Sequence, residues 1–323
     1  MPVQPVNIYR FIWALSARDQ IFLSLLAIVV FLLGTVPLEL QRRIVNGAIE
    51  AGEWERIILL GFAYAGVVLL AGLVKYGMNV YRGSVGERAT LTLRRETFDR
   101  VAAFQAGGGD MGNIQGVEVS VVVAEAEAVG GFVGSAFSEP LLEAGILLSA
   151  LGYMIFIQPW MALVVVILFV PQMVFVPFLQ WATNRRARDR IGILRQVSND
   201  LILDNARPEP DAGRAAFIGR IEKVYGLNLQ IYGFKFGMNF LMNLLYQLSI
   251  IGVLVVGGYL VLQGQTELGT IVAFLSGLDR INDPWNELVN FYREWSVTEV
   301  KYALIKDLHD KLDAAPGAVP ATP

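Results

Sequence analysis

The chain has no cysteine and only one histidine, His309. Disulfide bridges, thiolate zinc sites and cysteine nucleophiles are therefore excluded, as is any site that needs two imidazoles. No G-x-x-x-x-G-K-[ST] phosphate loop occurs in the 323 residues, so we expect that this chain cannot bind and hydrolyse ATP by that route. The sequence predicts no catalytic residues, no cofactor bound by this chain and no metal site, and hence no enzyme.

Charge is also scarce. Charged residues make up 17% of the chain and hydrophobic residues 54%, whereas soluble domains are usually about a quarter charged. The net charge is −3 and no basic block stands out, which gives no indication of a nucleic-acid partner. The composition therefore points to a lipid bilayer as the partner of most of the surface.

Long uncharged runs predict the membrane spans. The runs Ile21–Leu38 and Ile57–Val74 each cover about 18 residues, just enough to cross the hydrocarbon layer. The uncharged run Ala144–Asn184 is too long for one span and has Pro159 near its centre. Because proline breaks a helix and the adjacent Trp160 suits an interface, this run predicts two spans joined by a tight turn.

A fifth span is predicted over Phe236–Leu262 and a sixth from Leu268, which continues past the membrane into Ile305. The mildly amphipathic residues 1–20 are predicted to form an interfacial elbow helix, and residues 306–323 a short, disordered tail. The predicted fold class is thus an all-α membrane protein with a six-helix transmembrane domain over residues 21–305.

The basic residues predict the orientation. With the N-terminus inside, 23 of the 26 Lys and Arg lie in cytoplasmic segments, and only Arg42, Arg43 and Arg56 lie outside. The positive-inside rule therefore places both termini in the cytoplasm, in a bacterial inner membrane. The connections near 75–143 and 185–235 then become two long cytoplasmic helical hairpins.

A polar stripe follows the sixth span. Its members recur at spacings of four, four and three residues, and they share an arc of about 80° on a helix; they are Asp279, Asp283, Glu287 and Asn290. Carboxylates at this depth are costly unless they face water or protein. The stripe either lines a water-filled cavity or pairs with Arg280, Arg293 or basic residues of the hairpins.

Three amides, Asn239, Asn243 and Gln247, recur every four residues in the fifth span. They are predicted to bond between helices or to line a pathway, the first use being the commoner one. The pairs Gly130/Gly134 and Gly233/Gly237 are small-xxx-small patterns, which are typical of close helix packing.

The segment Gly107–Gly112 matches G-x-G-x-x-G formally. A dinucleotide site would require a preceding buried strand and a βαβ unit, and neither is predicted. We therefore interpret the glycines as a break at the tip of the first hairpin.

The layout resembles the transmembrane domain of the type IV (B-family-like) ABC exporters. The opening of that family's sixth span resembles Leu268-Gly269-Thr270-Ile271-Val272-Ala273-Phe274. The continuation of that span resembles Asp283-Pro284 followed by Glu287-Leu288. The family's first inner hairpin resembles Thr92–Gly112. The resemblance implies short coupling helices at the hairpin tips that dock on two ATPase domains. It also implies a homodimer or heterodimer, domain-swapped because spans four and five cross to the other subunit.

Carried onto this sequence, the resemblance places candidate coupling-helix contacts at Gly107, Asp110, Gly112, Asp204 and Asp211. Most members carry the ATPase after the sixth span, whereas this chain ends about 18 residues beyond it. ATP and Mg²⁺ are therefore expected on a separate nucleotide-binding subunit. The second hairpin also departs from the family pattern, through a proline-containing insert at 205–211.

Three functions are compatible with these patterns. The first is the membrane-spanning subunit of an ATP-driven exporter or flippase for a lipid or hydrophobic solute. The alternative is a scaffold or regulatory membrane protein with the same fold. A secondary carrier coupled through the acidic stripe is the least favoured, since no inverted repeat is apparent.

Overall fold

The computed structural model describes residues 7–49, 52–107, 116–203 and 210–314. These residues form seven α-helices, and a short π-helical segment, Ile44–Ile49, follows the first of them. The α-helices are α1 (Ile8–Arg43), α2 (Trp54–Ala106), α3 (Gly116–Ser135), α4 (Ser138–Ile157), α5 (Pro159–Leu203), α6 (Pro210–Leu262) and α7 (Leu268–Ala314). The described part of the chain contains no strand, which confirms the all-α class.

In the part of the chain that the structure describes, five helices are long and apolar enough to cross a membrane, namely α1, α2, α4, α5 and α6. They contain the first five predicted spans, so the chain is a multi-pass membrane protein. Helix α7, which holds the sixth predicted span, is not among the five. Asp279, Arg280 and Asp283 lie within its first 16 residues and interrupt the apolar run that a lipid-facing helix needs.

The two turns predicted between neighbouring spans are confirmed. Helix α4 ends at Ile157 and α5 begins at Pro159. Proline has no backbone N–H, but the first N–H groups of a helix have no partner within the helix, so proline is well tolerated at this position. Helix α6 ends at Leu262, and Gly264 follows with a φ of 68°, a backbone conformation that glycine adopts without strain.

The chain divides into two compact units. Unit 1 comprises residues 1–157 and 267–323, and unit 2 comprises residues 158–266. The described helices of unit 1 are α1 to α4 and α7. Their shared core includes Phe132, Phe291 and Tyr302, and the rings of Phe132 and Phe291 stack with centroids 5.6 Å apart. At one end of unit 1, α1 meets α2 and α7 begins. We call this end of the unit the turn end.

The predicted elbow helix and the first span are one element with a kink. The backbone of Ser16 leaves helical geometry (φ −144°, ψ 30°) inside α1, and its hydroxyl donates to the carbonyl of Ile12. Gln20 donates to the Ser16 hydroxyl and, at 2.8 Å, to the carbonyl of Val133 in α3. The boundary predicted near residue 20 thus corresponds to a kink that α3 helps to fix.

The predicted tail begins too early. Helix α7 continues to Ala314, and Leu308, His309 and Leu312 in its last turns are buried. Residues 306–314 therefore belong to the packed helix, because an apolar face continues along α7 past the residue at which the sixth span leaves the membrane.

The pair Gly130/Gly134 in α3 serves close packing, as the sequence indicated. A Cβ atom on Gly134 would collide with the backbone carbonyl of Arg82 in α2, and one on Gly86 would lie 3.1 Å from the carbonyl of Gly130. Two helix backbones can approach this closely only where side chains are absent.

In unit 2, α5 and α6 form a long antiparallel pair. A Cβ on Gly252 of α6 would lie 2.6 Å from Cγ1 of Val164 in α5. The absence of a side chain at Gly252 therefore allows Val164 to pack against the α6 backbone. Gly233 and Gly237, by contrast, have open space where a Cβ would be. The packing prediction for this second glycine pair is therefore not met within the described residues of unit 2.

Candidate functional site

The polar stripe lies on the solvent-accessible side of α7 within unit 1. The side chains of Asp279, Asp283, Glu287 and Asn290 are all exposed, whereas Leu278 and Ile281 are buried. This alternation follows from the helical period, because residues three and four apart share a face.

Arg280 does not pair with the acids of the stripe. Its guanidinium donates to the backbone carbonyl of Gly34 in α1, and a Cβ on Gly34 would lie only 2.9 Å from that nitrogen. Glycine at position 34 therefore makes room for the arginine to reach the α1 backbone. The pairing of Arg280 with the stripe, one of the two interpretations of the sequence, is not what the structure shows.

Asp283, three residues further along α7, has no hydrogen bond or ion pair to any residue in the described part of the chain. The next residue, Pro284, lies inside the helix. Because proline has no N–H, it cannot donate the helical hydrogen bond to the carbonyl of residue 280. A carboxylate and a backbone carbonyl released by the proline thus occur within one turn of each other.

Polar groups of α1 and α2 lie close to Arg280. The phenol of Tyr64 in α2 is within electrostatic range of its guanidinium, and Gln41 of α1 donates to the Tyr64 hydroxyl at 3.3 Å. The oxygen of the Gln41 amide is buried and has no partner among the described residues. Three helices therefore contribute polar groups to one region of unit 1.

Beyond Glu287, the stripe continues into an open groove of about 470 Å³ between α3 and α7. Asn290 donates to Glu287 at 3.5 Å and accepts from Arg293 at 3.2 Å. At the far side of the groove, Lys301 forms an ion pair of 2.6 Å with Glu125 of α3. In this groove Asn290 is therefore the member of the stripe that contacts a basic residue, and the pairing of the stripe acids with basic residues stays a prediction.

Two carboxylates that the sequence did not single out also face this region. Glu139 of α4 pairs with Arg82 of α2 at 3.3 Å, and both Glu139 and Glu143 lie within electrostatic range of Glu287. Their proximity depends on the packing of α4 against α7, which no local pattern in the sequence reveals.

A second group of polar contacts joins α1 to α4 and α7 at the turn end. The Tyr153 hydroxyl of α4 donates to Glu39 of α1 at 2.7 Å, and Arg42 and Arg43 pair with the same carboxylate. Asn46 accepts a hydrogen bond from the backbone N–H of Gly269. Glu39 thus connects α1 to α4 with its charge fully compensated.

The amides Asn239, Asn243 and Gln247 lie on an exposed face of α6. They make no hydrogen bond to described residues of unit 2. The polar contacts between α5 and α6 come from other residues, Arg186 with Gln230 at 2.8 Å and Arg190 with Asn228 at 3.2 Å. Within this unit the amides are therefore available for another partner or a pathway.

The candidate coupling contacts are only partly described. Gly107 follows the last residue of α2, and its N–H donates to the carbonyl of Ala103 at 3.0 Å. Asp211 is the second residue of α6. Asp110, Gly112 and Asp204 lie outside the described residues. Gly107 marks the end of α2, and its role in docking stays a prediction.

Comparison with known families identifies the class of protein. Residues 16–190, more than half of the chain, match the family described as the ABC transporter transmembrane region. The chain therefore belongs to this family, and its fold is that of a type IV ABC exporter transmembrane domain. No curated protein shows significant similarity to the chain.

Proposed function

We propose that the chain is the membrane-spanning subunit of an ATP-driven exporter or flippase, which moves a lipid or hydrophobic solute by alternating access. Membership of the ABC transporter transmembrane family carries this proposal. In this mechanism two arrangements of the helices open the same pathway to one side of the membrane and then to the other.

The lengths of the helices support a role in transmitting movement. Helices α2 and α6 have 53 residues each, which is about 80 Å at 1.5 Å per residue. The hydrocarbon layer needs only about 30 Å. More than half of each helix therefore lies beyond it, and these rigid extensions are suited to carry movement from a docked motor to the membrane.

We infer that the motor is a separate ATPase subunit. The 323 residues contain no phosphate loop, so ATP and Mg²⁺ must be held by other protein sequence. In this proposal the chain itself is not an enzyme and binds no cofactor. The basic residues support a cytoplasmic location for the hairpins and both termini, and we propose the inner membrane of a bacterium as the location of the chain.

We further propose a homodimer or heterodimer in which spans four and five pack on the other subunit. Helices α5 and α6 form a compact unit of their own, which supports such an exchange. The exposed amides Asn239, Asn243 and Gln247 of α6 would then face the second subunit or the pathway.

Gentle solubilisation from the native membrane, followed by identification of the co-purifying proteins, tests the proposal. We expect a P-loop ATPase in the complex, with a hydrolysis rate that rises on reconstitution with this chain. A stable native complex without any ATPase would refute the transport role. It would favour the scaffold alternative, for which the proline-containing insert in the second hairpin is the supporting feature.

A further inference from the structure

We propose that Arg280 and Asp283 form a binding site for the head group of a zwitterionic amphiphile, with an anionic group on Arg280 and an ammonium group on Asp283. This inference deepens the proposed function, because it names the chemical class of the transported or regulatory ligand. It rests on the contacts of Arg280 and on the surroundings of Asp283 within unit 1.

The site lies on the predicted sixth span. Arg280 and Asp283 follow the start of α7 at Leu268 by 12 and 15 residues, or about 18 and 22 Å along the helix. If the sixth span enters the membrane at Leu268, as the sequence predicts, both positions fall within the roughly 30 Å of hydrocarbon. Ionisable residues at this depth are costly and usually belong to a ligand or ion pathway.

The two charges do not neutralise each other. Opposite charges three residues apart on a helix are neighbours and commonly pair. Here the guanidinium instead reaches the carbonyl of Gly34 on α1, and Asp283 has no ion-pair partner among the described residues. An intramembrane pair of opposite charges is thus held apart by a contact with a third residue.

The arginine side of the site offers donors. A guanidinium has five N–H groups, and the contact with Gly34 uses one of its terminal nitrogens. The phenol of Tyr64 is within electrostatic range of the guanidinium, and its hydroxyl accepts from Gln41 at 3.3 Å. A phosphate or carboxylate would accept hydrogen bonds from the guanidinium, since Arg binds such anions with two parallel bonds.

The aspartate side offers acceptors. Asp283 contributes an exposed carboxylate, and Pro284 withholds the helical hydrogen bond from the carbonyl of Arg280. A primary ammonium has three donors and no acceptor, so the Asp283 carboxylate can accept from it. The carbonyl of Arg280 is thus left without its usual helical donor, within the same turn of α7 as Asp283.

The surrounding charge distinguishes a zwitterion from an ion of one sign. A purely anionic ligand on Arg280 would meet the carboxylates of Asp279, Asp283 and Glu287 along the same helix, and like charges in a low-dielectric region repel strongly. A purely cationic ligand would leave Arg280 without an anion. A head group that carries both charges satisfies each side.

Native mass spectrometry of the purified chain tests this proposal with probes of one chain length. Three 16-carbon acyl probes differ in the head group: lysophosphatidylethanolamine has phosphate and ammonium, lysophosphatidic acid has phosphate only, and monoacylglycerol is neutral. Hexadecylamine is the cation-only probe. Inorganic phosphate, added as a competitor, separates recognition of an amphiphile from recognition of the free anion.

We expect lysophosphatidylethanolamine to bind at least tenfold more tightly than the other probes, with no competition from inorganic phosphate at millimolar concentration. Arg280→Gln should weaken both phosphate probes about tenfold or more. Asp283→Asn should have opposite effects on the two phosphate probes. It should weaken the binding of lysophosphatidylethanolamine and strengthen the binding of lysophosphatidic acid. Arg293→Gln, on the same helix but outside the proposed site, is the matched control and should change neither affinity.

Equal binding of all probes would overturn the proposal, as would tightest binding of hexadecylamine. An unchanged ratio of the two phosphate probes in Asp283→Asn would also overturn it. This variant keeps the test decisive if Arg280→Gln fails to fold, because the exposed Asp283 carboxylate makes no contact that folding requires. Since no ATPase is needed, failure here is distinguishable from failure to find an ATPase partner.

Discussion

The hydroxyl of Thr97 in α2 and the imidazole of His309 in α7 form a buried hydrogen bond, with Oγ1 and Nε2 2.8 Å apart. The same hydroxyl donates to the carbonyl of Leu93 at 2.8 Å. It therefore accepts from His309, which fixes the neutral imidazole as the tautomer with its proton on Nε2. The only histidine of the chain thus joins the ends of two helices that are far apart in sequence.

This contact predicts a loss of stability in acid. Burial and the nearby positive charge of Arg100 lower the pKa of His309 from 6.5 to about 4. Because the folded state disfavours the protonated ring, the stabilisation is complete above pH 6.5 and is lost as the pH falls towards 4. The loss is about 2 kcal/mol by pH 5. Scanning fluorimetry from pH 7.5 to 4.5 should show the corresponding fall in Tm.

His309→Gln is the control for this prediction. Its amide can donate to Thr97 as Nε2 does but cannot be protonated in this range. We expect a smaller dependence of Tm on pH in the variant, and an equally steep dependence would assign the effect to other groups.

A methyl group at Gly134 should separate α2 from α3. Its Cβ would collide with the backbone carbonyl of Arg82, whereas Gly131, on the same helix, has open space. Gly134→Ala should therefore lower stability by about 1–3 kcal/mol, the usual cost of overpacking. Gly131→Ala should leave stability unchanged or raise it by up to about 1 kcal/mol through helix propensity. Denaturation in detergent compares the two variants, and equal effects would contradict the close-packing role.

Removal of the Tyr153 hydroxyl should weaken the connection between α1 and α4. The hydroxyl donates to the carboxylate of Glu39 at 2.7 Å, and a hydrogen bond to a charged group contributes about 1.5–3 kcal/mol. Tyr153→Phe should lower the free energy of unfolding by about that amount. Tyr259→Phe, which changes an exposed tyrosine of α6, should have no measurable effect. If Tyr153→Phe leaves the free energy of unfolding unchanged, Arg42 and Arg43 suffice to hold Glu39.

The first hairpin tip should be needed for coupling rather than for folding. Asp110→Lys reverses a charge at the predicted docking turn. In the native complex it should reduce stimulation of the ATPase several-fold while membrane yield stays normal. Asp99→Lys reverses an exposed charge two turns before the end of α2 and should retain coupling. Failure of the Asp110 variant to insert would argue against a docking role.

The apolar runs and the turn residues determined most of the fold in advance. Uncharged stretches of about 18 residues have few alternatives to a membrane helix, because every backbone polar group must be satisfied within the segment. Pro159 and Gly264 mark turns through local backbone chemistry alone, so both turns were predictable. Pro171 and Pro177, however, lie inside α5. A proline by itself therefore did not indicate where a membrane helix ends.

The single histidine and several of the few charged residues acquire specific partners once the helices are packed. The sequence by itself determined that lipid surrounds the chain, that the helices span it several times and that Asp283 and Arg280 share one turn of α7. Only the tertiary structure decided that His309 is bonded to Thr97, and that Arg280 is diverted to Gly34 and leaves Asp283 without a pair. Periodicity fixes which residues share a helix face, but contacts between residues more than 200 positions apart depend on how the helices pack.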